Sequence, residues 1–254
     1  MFDTLKSRIY QGQQFIKDIP NAPMREQFRG IPTFKNINCD YCKKCMDVCP
    51  TGALKLNPLS IDMGKCTFCG ACKNICEKKA IDFSNCYKLS STNREKLIIT
   101  EDVTPEKFQE IAFVVRKEIT SMFAKSLKLR QVSAAGCNGC EMELNACSNA
   151  NFDMGRFGIE FVASPRHADG IVITGPISEN MAYALEDCYK SVPDPKVVIL
   201  CGTCAISGGI YQDATQTNRE FLEKYPIDLY IPGCPVHPLT FINGILGFIR
   251  EKKK

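Results

Sequence analysis

Eight cysteines constrain this chain more than any other feature. Cys39-x2-Cys42-x2-Cys45-x3-Cys49 recurs as Cys66-x2-Cys69-x2-Cys72-x3-Cys76, each position displaced by 27 residues. The flanks repeat as well, TGALKL after the first run and KKAIDF after the second. Two units are too few for a solenoid, which needs about three; the repeat predicts a pseudo-twofold pair, each half a short strand and a helical turn. Three closely spaced thiolates on one loop can cap three irons of a cubane while backbone N–H groups point at its sulfides. The spacing, with Pro50 behind the first run, is that of paired 4Fe–4S clusters in which the fourth thiolate of each run serves the other cluster. It assigns Cys39, Cys42, Cys45 and Cys76 to one cluster, and Cys66, Cys69, Cys72 and Cys49 to the other. Structural zinc favours two separated ligand pairs over such triplets. Glu77 stands where a second proline is usual, which alters local solvation and removes no ligand.

The chain holds sixteen cysteines among 254 residues. In a small secreted domain these would form disulfides, but this chain is large and begins MFDTLKSRIYQGQQF, without the apolar stretch of a secretory signal or a twin arginine. A cytoplasmic setting is expected, where dense cysteine means metal or redox chemistry. The two histidines, His167 and His237, are too few for a typical zinc enzyme site. An apolar fraction of 44% and a charged fraction of 24% are those of an ordinary globular protein and exclude disorder, collagen and low complexity. No apolar run reaches the roughly 18–20 residues of a membrane span.

Charge is divided unevenly. Residues 1–130 carry 22 Lys+Arg against 14 Asp+Glu, and residues 131–254 carry 10 against 14. A basic half can signal nucleic acid, but here the lysines interleave with the cysteines. Each thiolate-bound 4Fe–4S cluster adds about −2 when oxidised, so three would take the formal +4 to about −2. No nucleic-acid partner is expected.

Beyond the repeat, residues 84–103 read as a polar connector with a short strand at Leu97–Ile99. A helix follows, capped by Thr104, with Pro105 in its first turn and Glu106 at its positive end. Phe108, Ile111, Ala112, Val115, Ile119, Met122 and Phe123 form its apolar stripe. From residue 128 strands and helices alternate: strands at Lys128–Ala134, Ile159–Ala163, Gly170–Thr174, Lys196–Leu200 and Asp228–Ile231, helices at Glu141–Ser148, Ser178–Ser191, Thr217–Tyr225 and Pro238–Arg250. This predicts an α/β fold with an open, mostly parallel, flavodoxin-like sheet, whose sites gather beyond the carboxyl ends of the strands.

Three of those strand ends carry the second constellation. Cys137 and Cys140 lie in GCNGCE, Cys204 in CGTCAISGG, and Cys234 in PGCP. Glycines 136, 139, 202, 208, 209 and 233 let the backbone approach inorganic sulfide and adopt positive φ. Four thiolates around a third cubane are one reading, a zinc site the other. Of the remaining cysteines, Cys86, Cys147 and Cys188 read as small apolar residues, whereas Cys201, three residues before Cys204, is a rival ligand.

At these motifs the chain resembles a known family. GCNGCEMELNA, SPRHADGIVITG, CAISGGIY and YIPGCP resemble the small subunit of membrane-bound, energy-converting nickel–iron hydrogenases, including formate hydrogenlyase, and the related complex I subunit that carries the terminal cluster. MFDTLKSRIYQGQQF through FRGIPTFKN and both cysteine runs to about Ile99 looks like the ferredoxin-type subunit of the same complexes. The resemblance implies two usually separate subunits in one polypeptide: an α+β ferredoxin-like two-cluster domain at 1–100, a linker helix at 101–127 and a small-subunit domain at 128–254. The complex I subunit has adjacent cysteines at its first pair; Cys137-x2-Cys140 resembles the hydrogenase branch.

Carried over by motif, the ligands of a proximal 4Fe–4S cluster are Cys137, Cys140, Cys204 and Cys234, making three clusters. Glu143 matches an acidic position in both branches, as a proton relay if burial raises its pKa or otherwise as a surface carboxylate. Arg166 and His167, in PRHAD, are candidates for hydrogen bonds to the cluster or a subunit interface. The implied function is oxidoreductase electron transfer to a nickel–iron site on a partner large subunit, on the cytoplasmic face of the membrane. Integral-membrane ion-pumping subunits would be further partners, with a ferredoxin or a formate or carbon monoxide dehydrogenase as electron donor. The alternatives are a complex I-like quinone or sulfur reductase, a soluble nickel–iron hydrogenase, and a zinc-stabilised interaction protein.

Overall fold

The sequence repeat is also a repeat of backbone conformation. The computed structural model describes residues 2–12, 14–35, 39–114, 117–123 and 125–250. An exposed helix, α1 (Phe2–Gln11), buries no side chain. Strand β1 (Pro32–Phe34), helix α2 (Lys44–Asp47) and strand β2 (Leu54–Leu56) recur as β3 (Leu59–Asp62), α3 (Ala71–Ile75) and β4 (Ile81–Phe83). Positive φ angles repeat with the same offset: Tyr41 at 55° and Phe68 at 53°, then Lys43 at 64° and Gly70 at 79°. Antiparallel pairing exchanges partners between the halves: β1 pairs with β4 through Pro32↔Phe83, and β2 with β3 through Leu56↔Leu59. The last strand of each half thus lies beside the first strand of the other, the same exchange that the fourth cysteine of each run requires.

The connector is more structured than its polarity suggests. Strand β5 (Ile98–Thr100) adds to β3 as the third strand of its sheet, and Arg94 makes a bidentate ion pair with Asp62 at 2.7 and 2.8 Å. Ser90 and Ser91 are buried, and Ser91 forms an antiparallel bridge with Tyr230 of the later half. The expected long helix is two helices, α4 (Pro105–Ile111) and α5 (Lys117–Phe123). Thr104 caps α4 by accepting the Lys107 N–H. The break has a cause in the connector: the Ala112 carbonyl accepts from the Ser91 hydroxyl at 2.8 Å and the Thr92 N–H at 3.0 Å, while the Val114 N–H donates to the Thr92 hydroxyl at 2.9 Å. Phe108, Ala112, Ile119 and Phe123 are buried as the stripe implies; Ile111 is half-buried, Met122 is exposed, and Val115 lies outside the described residues.

The later half is a five-stranded parallel sheet in the order β10-β9-β8-β6-β7. Its elements in chain order are β6 (Leu127–Ser133), α6 (Gly139–Ala146), β7 (Ile159–Phe161), β8 (Gly170–Thr174), α7 (Glu179–Ser191), β9 (Val197–Cys201), α8 (Thr203–Ser207), α9 (Glu220–Lys224), β10 (Leu229–Ile231) and α10 (Pro238–Ile249). Central strands β8 and β9 are buried at every position, as expected of a parallel sheet covered on both faces. Helix α9 is shorter than the expected Thr217–Tyr225 because Ser178 forms a β-bridge with Thr217, and the Asn218 N–H donates to Ile177.

Both apolar cores draw on both halves. Ile31, Phe83 and Phe108 pack in one cluster with Val132, Ile173 and Phe221; Ile19 and Tyr87 pack in the other with Leu129, Ile199 and Phe241. The segment before β1 is laid on the later half, where the Asn243 side chain and Tyr87 hydroxyl both donate to the Ile19 carbonyl. No described helix is long and apolar enough to cross a membrane.

Candidate iron–sulfur centres

In the first half, Cys39, Cys42, Cys45 and Cys76 line one cavity, together with Leu56, Leu59 and Ile81. Burial raises the Cys45 pKa, and the nearby Cys39 and Cys76 thiols add to the rise. Cys66 is pushed up to about 12 by burial, against a lowering hydrogen bond from Phe68 N–H, with Cys72, Cys49 and Cys69 contributing. Cys72 is pushed up to about 11, again chiefly by burial, with Cys49 and Cys69 prominent among its charged neighbours. Cys76 thus stands with the first run and Cys49 with the second.

Backbone donors already face these sulfurs. Ala53 N–H donates to Cys49 Sγ at 3.3 Å, its counterpart Ala80 N–H to Cys76 Sγ at 3.4 Å, and Phe68 N–H to Cys66 Sγ at 3.2 Å. Such donors stabilise thiolate charge and are among the groups that set cluster potentials. Glu77 pairs with Lys44 at 2.6 Å, so the residue in the proline position ties one run to the other. Lys73 is paired with Asp82 at 2.5 Å.

The third set stands on the carboxyl rim of the sheet. Cys137 follows β6 and Cys140 lies in α6; Cys204 lies in α8 after β9, and Cys234 follows β10. Burial pushes Cys140 up to about 12, with Cys234 and Cys204 among the neighbours that raise it. Cys204 is pushed up to about 11 by burial, then by Cys234 and Cys137. Two glycines shape this rim. A Cβ on Gly202, whose φ is +95°, would come within 2.6 Å of Cys140 Sγ, and one on Gly209 within 3.0 Å of Cys204 Sγ. Cys201 is wholly buried at the end of β9 within the apolar core.

Among the described residues, no three His, Cys, Asp or Glu side chains close on a point as a single metal ion would need. Sets of four thiols with glycine clearance and, in the first half, backbone donors fit the larger 4Fe–4S cubane. Because burial holds several thiols protonated, loading must release protons.

The carboxylate beside the third set is Glu141, which motif reading passed over. It is buried, and its Oε1 accepts from Ser133 Oγ and Thr174 Oγ1, both at 2.7 Å. Ser133 and Thr174 are paired in register at the ends of β6 and β8. A hydroxyl closing each of two adjacent strands, one of them the otherwise apolar β8, beside a glutamate adjoining Cys140, was the available signal. Glu143 is half-buried on α6, with a pKa raised by burial, and acts on the Cys147 thiol. Arg166 and His167 are exposed in a turn after edge strand β7.

The two halves meet at their sulfur-bearing loops. Thr203 Oγ1, buried, donates to the Cys66 carbonyl at 2.8 Å and lies 3.2 Å from the Gly233 carbonyl. Cys69 and Cys234 line one cavity between the halves, and the Cys69 thiol contributes to the raised pKa of Cys234.

Fold and thiol sets define an iron–sulfur protein: a pseudo-twofold dicluster module built onto a parallel sheet rimmed with cysteine. Comparison with known proteins agrees. Residues 31–77 match the 4Fe-4S dicluster domain, and residues 137–248 match the family described as NADH ubiquinone oxidoreductase, 20 Kd subunit. A probable membrane-bound hydrogenase subunit of Pyrococcus furiosus is 33% identical over 54% of this chain and 82% of its own length. An NADH-quinone oxidoreductase subunit of Clostridium beijerinckii is 36% identical over 56% of this chain and 93% of its own. Formate hydrogenlyase subunit 7 of Escherichia coli is 38% identical over 56% of this chain and 60% of its own. The chain belongs to the 20 kDa-subunit family of NADH ubiquinone oxidoreductase, with a 4Fe–4S dicluster domain in the same polypeptide.

Proposed function

We propose that this chain is the electron-transfer subunit of an energy-converting nickel–iron hydrogenase and holds three 4Fe–4S clusters, on the twelve cysteines assigned above. The clusters supply one-electron carriers whose potentials follow from charge, hydrogen bonding and exposure. In this reading they form a series: Cys39, Cys42, Cys45 and Cys76 first, then Cys66, Cys69, Cys72 and Cys49, and last Cys137, Cys140, Cys204 and Cys234 at the sheet rim. The second set meets the later half through Thr203 and the cavity shared by Cys69 and Cys234. The observation that carries this reading is the Thr203–Cys66 hydrogen bond, which joins the loop of the second set to that of the third. Apolar Leu56, Leu59 and Ile81 form one wall beside the first set, and charged Lys44 and Glu77 border it on the solvent side.

The Cys137-x2-Cys140 spacing supports the hydrogenase branch, with a nickel–iron large subunit facing the exposed Cys137 and Cys234. In this reading residues 1–100 receive electrons from a ferredoxin or a formate or carbon monoxide dehydrogenase, 101–127 link the modules, and 128–254 deliver them. The assembly is peripheral on the cytoplasmic face of a membrane, beside ion-pumping subunits. Glu143 or Glu141 serves proton movement at the large-subunit interface. The 36% identity to an NADH-quinone oxidoreductase subunit favours a second reading, in which the third cluster faces a quinone site. Anaerobic purification of the native complex decides: stoichiometric nickel with hydrogen evolution supports the first reading, and quinone reduction without nickel supports the second.

A further inference from the structure

The turn carrying Cys204 is held through its backbone carbonyls by one cation. Arg219 Nη1 donates to the carbonyls of Pro176 and Cys204, both at 3.2 Å, and Nη2 donates to those of Ala205 and Ile206 at 2.9 and 3.0 Å. Cys204, Ala205 and Ile206 belong to α8; the Cys204 carbonyl also accepts the Gly208 N–H at 2.9 Å, while Ala205 and Ile206 lie in the last turn, where carbonyls lack partners within the helix. The planar fork meets several of them at once, which a lysine ammonium on its flexible stem does not reproduce. Arg219 is itself anchored, because neighbouring Thr217 and Asn218 are pinned to Ser178 and Ile177.

No salt bridge to Arg219 is found among the described residues, so no described carboxylate cancels its charge. Partial burial lowers the Arg219 pKa, and the Cys204 thiol acts in the opposite direction as its ionisable neighbour. A cluster with four thiolates gains a further negative charge on reduction, so a fixed cation beside one ligand favours the reduced state.

We infer that Arg219 is a positioning residue for the third cluster, clamping the Cys204 turn and holding the cluster's reduction potential up with its permanent charge. This rests on the reading that the third thiol set binds a 4Fe–4S cluster.

The test uses the full-length holoprotein, purified anaerobically, with iron analysis and redox titration followed by electron paramagnetic resonance. Arg219→Gln removes the charge and Arg219→Lys keeps it. In the Gln variant, the third cluster's reduction equilibrium should become at least tenfold less favourable, about 59 mV more negative for one electron. The two dicluster potentials should stay in place, and the Lys variant should remain near the parent. Loss of the third cluster in the Gln variant alone would also support the assignment. Loss of the cluster in both variants would support the clamp, since neither side chain carries the fork. The proposal is overturned if the Gln variant keeps the cluster at the parental potential, or if both variants keep the cluster and Lys shifts as far as Gln. Absence of a third signal from the parent protein would instead refute the three-cluster reading.

Discussion

Thr203→Val removes the hydroxyl at the joint between the two halves and leaves the shape of the side chain nearly intact. Thr203 is 1% exposed, and its hydroxyl reaches the Cys66 carbonyl at 2.8 Å. The Gly233 carbonyl keeps a donor in the variant, because it also accepts the Thr203 N–H at 3.0 Å. The loss therefore falls on the Cys66 carbonyl, and stranding a buried polar group costs about 1–3 kcal/mol. For a chain of this size each kcal/mol lowers Tm by roughly 2–4 °C, so a fall of about 2–12 °C is expected in anaerobic calorimetry of the holoprotein. Thr203→Ser keeps the donor and loses a buried methyl, worth about 0.8 kcal/mol in transfer alone; it should fall less than Val. A Val variant as stable as the parent, or less affected than Ser, would refute the idea that this hydroxyl joins the sulfur-bearing loops.

Three further outcomes are expected. Cys204→Ser should abolish the third cluster's paramagnetic signal and Cys201→Ser should preserve it; loss in Cys201→Ser alone would reverse the ligand assignment. Burial holds the His237 pKa below its ordinary value, and its Nδ1 must stay unprotonated to accept the Leu239 N–H at 3.1 Å. As pH falls below about 6.5, the unfolded chain gains a proton that the folded chain resists, so stability drops until the folded-state pKa is passed. His237→Asn keeps a capping acceptor and should flatten Tm between pH 7.5 and 5.5, whereas an unchanged slope would assign it to other groups. Because Lys44 and Lys73 are already ion-paired, Lys43, Lys78 and Lys79 are left to steer an acidic donor. Reversing Lys78 and Lys79 to Glu should slow reduction by an acidic ferredoxin and flatten its salt dependence; an unchanged rate and slope would leave these lysines a charge-compensating role only.

What could be read from the sequence follows from how local each signal is. The 27-residue offset carried the dicluster module down to its backbone, because identical spacing imposes identical turns at Tyr41 and Phe68 and at Lys43 and Gly70. Strand positions were legible because buried parallel strands are continuous apolar runs, as in Gly170–Thr174. The break between α4 and α5 was hidden: Ser91 and Thr92, twenty residues earlier, capture the backbone groups at Ala112 and Val114. Glu141 escaped for a similar reason, since its two partners come from different strands and converge only when the sheet forms. The same holds for Arg219, whose acceptors lie more than ten residues away in the chain.

Iron and acid-labile sulfide per chain, measured on anaerobically purified holoprotein, test the central claim most directly. Twelve ligands in three sets of four give about twelve iron and twelve sulfide with essentially no zinc. About eight iron would leave the sheet-rim cysteines without a cluster and contradict the proposed electron path; zinc at that rim would make it a structural site instead.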